Sequence, residues 1–218
     1  MDRAGAGKRR RQLAEFARFL TDFADQAVIL PLCLCAVIGL ALAGWRRGAA
    51  GFGLAAFAVL ALMLALKLLA LGCGRFLPWL RIASPSGHTA VAAAIYGGAI
   101  ALALRRFLSP WPAIILAGLP LALAIGATRL ALGVHTLGET IAGGAVGLAG
   151  TAGMVFLAGP PPAGLRAWRI VLPILALIAL LHGLRLPAEQ HIRWAALHVW
   201  PFSVCRPIAP IAGRPSRP

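Results

Sequence analysis

The strongest constraint on this chain is a series of long runs with no charged side chain: 27–44, 48–66, 89–104, 107–128 and 140–165. Crossing about 30 Å of hydrocarbon takes a helix of about 20 residues, and most of these runs are that long. A sixth run, 170–181, is shorter. The pattern predicts an all-α polytopic membrane helix bundle with about six transmembrane helices, near 27–44, 49–67, 86–105, 112–128, 137–158 and 168–183. Five of the six tryptophans fall between the runs or in the C-terminal tail, and Trp111 lies near the start of the fourth run, as expected of a ring that prefers the membrane–water interface.

Three segments follow from this pattern. Residues 1–26 form a basic tail, in which "KRRR" precedes Leu13, Phe16, Phe19, Leu20 and Phe23 at helical spacing. That reads as an amphipathic helix against membrane lipids. Residues 27–183 form the transmembrane domain. Residues 184–218 form a C-terminal tail, part interfacial helix (188–200) and part Pro-rich and disordered. The "ALA" at 41–43 resembles a signal-peptidase site, but the charged stretch before its apolar run is too long for such a signal, so no cleavage is expected. Cys33 and Cys35 show no metal spacing. Cys73 and Cys205 would meet only if the tail folded back. Gly143, Gly147, Gly150 and Gly153 mark the fifth helix as a close-packing seam.

The formal net charge of +15 first suggests nucleic acid. The basic residues are instead spread over tails and every loop, where they serve orientation and contacts with anionic lipid, so no nucleic-acid partner is expected.

Ionisable groups in or at the ends of membrane spans are costly and are candidates for function. Here they are Lys67, Arg75, Arg81, His88, Arg129, His135 and Glu139. Lys67 ends the second predicted helix and His88 begins the third. The chain crosses and returns, so Arg129, His135 and Glu139 come back to the same membrane face. In "SPSGH" (84–88), Pro85 stops a preceding helix, Ser86 caps the next, and Gly87 leaves room for an approaching group. A helix N-terminus of this kind suits an anion, although an ordinary cap beside a polar loop histidine has the same pattern. In "TRLALGVHTLGE" (128–139), Glu139 follows His135 by four residues, so the two share a face if that stretch is helical. The carboxylate can then fix one ring nitrogen and leave the other to attack. A helix-start glutamate beside a surface histidine would read the same. Basic groups around two histidines favour a phosphate over a divalent cation, which leaves zinc on His88, His135 and Glu139 a poor third reading.

These residues resemble the signature of the type 2 phosphatidic acid phosphatase superfamily, membrane lipid phosphatases related to vanadium-dependent haloperoxidases. Its Pro-Ser-Gly-His motif is intact at 85–88. Its Ser-Arg-x5-His-x3-Asp motif reads Thr128-Arg129-x5-His135-x3-Glu139, with mild substitutions and the spacing kept. Its Lys-x6-Arg-Pro motif departs: Lys67 is present, Arg75 lies one residue too far along, and Phe76 replaces the proline. Arg81 offers a second candidate for that guanidinium. The resemblance spans about 67–145 and implies the phosphatase/haloperoxidase-type helical core. It also implies that His135 attacks phosphorus, Glu139 orients it, and His88 protonates the leaving oxygen. Lys67, Arg129, one of Arg75 or Arg81, Ser86 and the Gly87 N–H would hold the phosphate oxygens. The fixed cations would act as Mg²⁺ does elsewhere, so no cofactor or metal is expected.

Two functions are consistent with this: a metal-independent lipid phosphate or diphosphate phosphatase, and a catalytically degenerate lipid-phosphate binder. The enzyme is favoured because both histidines and the acid are kept. Fifteen of the 21 Lys and Arg lie on the active side, several of them within the site or in long tails. The opposite loops carry Arg46/Arg47, Arg105/Arg106 and Arg166/Arg169 hard against the spans, a cytoplasmic pattern. The expected setting is a bacterial inner membrane with an extracytoplasmic site.

Overall fold

A computed structural model describes residues 3–73, 84–166, 168–187, 190–192 and 194–195. Among these, the regular elements are helices only: α1 (Arg3–Asp22), α2 (Gln26–Leu42), α3 (Arg46–Cys73), α4 (Gly87–Val91), a π-turn (Ala92–Tyr96), α5 (Gly97–Leu104), α6 (Pro110–Ala131), α7 (Leu137–Ala158) and α8 (Trp168–Leu181). With no water in the hydrocarbon, each spanning segment must satisfy its own backbone, and helices do so. Five segments are long and apolar enough to cross: Gly7–Leu42, Arg46–Ala70, Gly87–Leu104, Pro110–Ala131 and Leu137–Ala158.

The expected helices form with three differences. The second continues six residues beyond Lys67, to Cys73. The sixth, α8, has 14 residues, or about 21 Å at 1.5 Å per residue, short of the hydrocarbon thickness. The third is one rod interrupted by the π-turn, which its apolar pattern did not indicate. Inside that turn the Ala93 carbonyl accepts a hydrogen bond from Thr151 Oγ1 on α7 at 2.7 Å. A distant side chain therefore serves a carbonyl in the widened turn. The pairing of Cys73 with Cys205, the interfacial helix at 188–200 and the Pro-rich end lie outside the described residues, apart from short helical pieces at 190–192 and 194–195.

Local chemistry sets the ends that matter for function. Thr136 caps α7 in a full capping box with Glu139, a pairing that satisfies two otherwise orphaned N–H groups. At the end of α6, Gly133 takes φ +66°. Its N–H donates to the Leu130 carbonyl, and Val134 N–H donates to the Arg129 carbonyl. This left-handed glycine termination turns the chain sharply, so the next helix begins four residues later with His135 in the bend.

Helix α7 is the hub, packed against α3, α6 and the α4–α5 rod. Its glycines allow that. A Cβ on Gly143 would lie 2.4 Å from the Ser86 carbonyl oxygen, and one on Gly147 would lie 2.6 Å from both Ala90 O and Ala93 Cβ. One on Gly150 would lie 2.4 Å from Val59 Cγ2 on α3. Backbone-to-backbone approach of this kind replaces the hydrophobic drive that lipid removes. Gly147→Val should lower stability by about 1–3 kcal/mol through overpacking, seen as a lower Tm of the purified protein in detergent.

Candidate active site

The site lies where the start of α4, the α6–α7 bend and α3 near Lys67 meet. Ser86 N–H donates to the Glu139 main-chain carbonyl at 2.9 Å, which ties the "SPSGH" loop to the first turn of α7. With Gly143 lacking a side chain one turn further on, the loop lies flat against that helix.

Glu139 is buried, with 7 % of its surface exposed, and its carboxylate is held by N–H groups of the α6–α7 bend and of the "SPSGH" loop. Oε2 accepts from Thr136 N–H at 2.9 Å and is 3.0 Å from His135 Nδ1. Oε1 accepts from Ser84 N–H at 3.2 Å. A carboxylate oxygen accepts, so Nδ1 carries the ring proton and Nε2 presents its lone pair. One residue thus caps α7, fixes the His135 tautomer and tethers the loop that carries His88. Burial pulls the His135 pKa below the ordinary value of 6.5, ahead of the raising pull of Glu139 and the lowering effect of Arg129 and Lys67. The ring is therefore neutral at pH 7.

His88, on the first turn of α4, lines a cleft of about 510 Å³ with Lys67, Gly87, Asp25, Gln26 and His191. A methyl on Gly87 would sit 3.6 Å from Lys67 Cε, so the lysine stem runs beside the loop. His88 also lies within electrostatic range of Arg129, Lys67 and His135. The rest of the cleft wall is largely apolar, with Leu30, Leu60, Met63, Leu64 and Val91 among its lining residues.

The structure therefore brings together Lys67, Gly87, His88, Arg129, His135 and Glu139. Ser86 is placed differently from the expected phosphate contact. Its side chain is fully buried, and its Oγ accepts from Thr89 Oγ1 at 2.9 Å and, as the helix cap, from Thr89 N–H. The cap turns the hydroxyl inward and leaves backbone N–H groups at the helix start for an anion. Arg75 and Arg81 lie outside the described residues. Among the described residues, no three His, Cys, Asp or Glu side chains cluster as metal ligands would. One contact had no signal in the sequence: Arg129 NH1 donates to Thr21 Oγ1 at 3.2 Å, a partner 108 residues away.

A bundle of membrane-crossing helices with a carboxylate-pinned histidine, a second histidine and two cations at one end defines a class of membrane protein built to handle a phosphorylated group. The model for the PAP2 superfamily matches residues 50–159, half of the chain, and the protein belongs to that superfamily. Membership supports a phosphatase-type activity on phosphorylated substrates. No curated protein and no solved structure matches the chain.

Proposed function

We propose that this protein is a metal-independent phosphatase of the membrane that hydrolyses a phosphomonoester or diphosphate of a lipid through a phosphohistidine. The observation that carries the reading is the Glu139–His135 pair. It leaves Nε2 neutral and unprotonated beside Lys67, Arg129 and His88. In the first step Nε2 forms a bond to phosphorus, and the bond to the lipid oxygen breaks. That oxygen takes a proton from His88. In the second step His88 takes a proton from water, the hydroxide oxygen bonds to phosphorus, and the N–P bond breaks. Lys67, Arg129 and the backbone N–H at Gly87 offset the charge on the equatorial oxygens. The apolar cleft wall below His88 supports a lipid rather than a soluble phosphate ester, since it offers hydrocarbon to the part of the substrate beyond the phosphate.

The test is phosphate release from a panel of polyprenyl and glycerolipid phosphates by protein purified in detergent, with and without chelator and orthovanadate. Release that survives the chelator and is blocked by vanadate is expected. Binding without release would favour the degenerate binder, and loss of release with the chelator would overturn metal independence. The proposed site faces the extracytoplasmic side of a bacterial inner membrane, because the opposite short loops carry the Arg pairs 46/47 and 105/106 against the spans. Reporter fusions within 46–47 should report a cytoplasmic location, and fusions within 75–81 the opposite one.

A further inference from the structure

The catalytic end of the bundle is completed by chain from outside the family-matched region, contributed by both flanks. The end of α1 and the turn after it come from one side. Thr21 and Asp22 are buried there, 6 % and 8 % exposed. Thr21 Oγ1 accepts the hydrogen bond from Arg129 described above. The Phe23 carbonyl accepts from Tyr96 Oη at 2.7 Å, which fixes the turn to the α4–α5 rod. The segment after α8 comes from the other side. Arg185 grips Asp22 with two parallel bonds, Nε to Oδ1 at 2.9 Å and NH2 to Oδ2 at 2.8 Å. Leu186 N–H donates to Asp25 Oδ1 at 3.1 Å. The His182 ring packs on Phe19 and Phe23, with centroids 4.6 and 4.2 Å apart. The same two segments line the cleft opposite Lys67 and His88, through Asp25, Gln26, Leu186, Pro187 and His191.

We propose that these two flanks form a clasp that belongs to the active site, in which Thr21 is a positioning residue for Arg129 and the Asp22–Arg185 fork holds Thr21 in place. The inference rests on the reading of Arg129 as a phosphate-holding group. A guanidinium has five N–H donors in a rigid plane. One donor committed to a hydroxyl at the buried, anchored end of α1 confines that plane and so sets how the guanidinium faces phosphoryl oxygens. In-line transfer is sensitive to misplacement on the order of 1 Å, so a clasp that fixes this group acts on affinity for the oxyanion and on kcat/KM together. Arg185 is the exposed partner, with its side chain 59 % exposed, so it can be replaced without opening the core.

The test uses the full chain in detergent and two readouts: orthovanadate affinity by calorimetry, and hydrolysis of a long-chain lipid phosphate. Thr21→Val keeps the shape and removes the acceptor. It should weaken vanadate binding about fivefold to tenfold, the effect of one ordinary intramolecular hydrogen bond, and lower kcat/KM in parallel. Thr21→Ser restores the acceptor and should stay within about twofold of the parent, which separates positioning from simple packing. Arg185→Gln should shift affinity in the same direction as Thr21→Val and by less. On an Arg129→Lys background Thr21→Val should add little, because coupled residues are not additive. Wild-type vanadate affinity in Thr21→Val, or full additivity with Arg129→Lys, overturns the clasp. Wild-type affinity in Arg185→Gln removes the fork from it. A parent protein that neither binds vanadate nor hydrolyses lipid phosphate overturns the phosphate reading and the clasp with it. A parent that does both while Thr21→Val is unchanged overturns the clasp alone.

Discussion

Replacing His135 by alanine should end phosphate release, with a fall in kcat on the order of 10⁴-fold or more, as removal of a nucleophile does elsewhere. The side chain is partly buried, and its hydrogen bond among the described residues is to Glu139, so the variant should fold and still bind orthovanadate. Retained release would dispose of the histidine mechanism. The same residue should set the acid side of the pH profile. Burial holds its pKa below 6.5, and only the neutral ring can attack. Activity should therefore hold as pH falls through 6.5 and drop only below it. An acid limb above 6.5 in kcat/KM would mean that another group, or a protonated ring, governs the step.

Glu139→Gln should cost about 10³-fold to 10⁴-fold in kcat. A glutamine keeps one acceptor oxygen and turns the other position into a donor, so it cannot serve Thr136, Ser84 and His135 Nδ1 at once. When an amide replaces the carboxylate partner of a catalytic histidine, the wrong tautomer presents to the substrate and the loss is of that order. The variant should also lose stability, about 1 kcal/mol for the weakened helix cap, measured as Tm. Glu139→Asp keeps the charge on a shorter arm and should fall between the two in activity. If Glu139→Gln lost stability while keeping its rate, the residue would be a helix cap and loop tether with no part in chemistry.

Much of this site was legible because its parts are local. The Pro-Ser-Gly-His run, the four-residue step from His135 to Glu139 and the out-and-back crossing are properties of short stretches and helix periodicity. Ser86 shows where that reasoning stopped. A serine before a glycine and a histidine reads equally as a phosphate contact and as a cap, and the choice turned on Thr89, whose hydroxyl donates to it within the folded helix. Arg129 was legible as a cation in the right place, but its partner was not. The bond to Thr21 joins residues 108 positions apart, and the Asp22–Arg185 fork spans 163. No periodicity links positions at such distances.

By itself the sequence determined a membrane bundle of helices and the face on which two histidines, an acid and the cations gather, because charge-free length and helical spacing act within one segment at a time. Tertiary structure decided which side chains finish that site: the inward turn of Ser86, the π-turn served by Thr151, the loop laid on Gly143 and the clasp of the two flanks. These depend on close approach between separate helices, where an absent Cβ or a single well-placed hydroxyl decides the geometry, and that approach exists only once the bundle has packed.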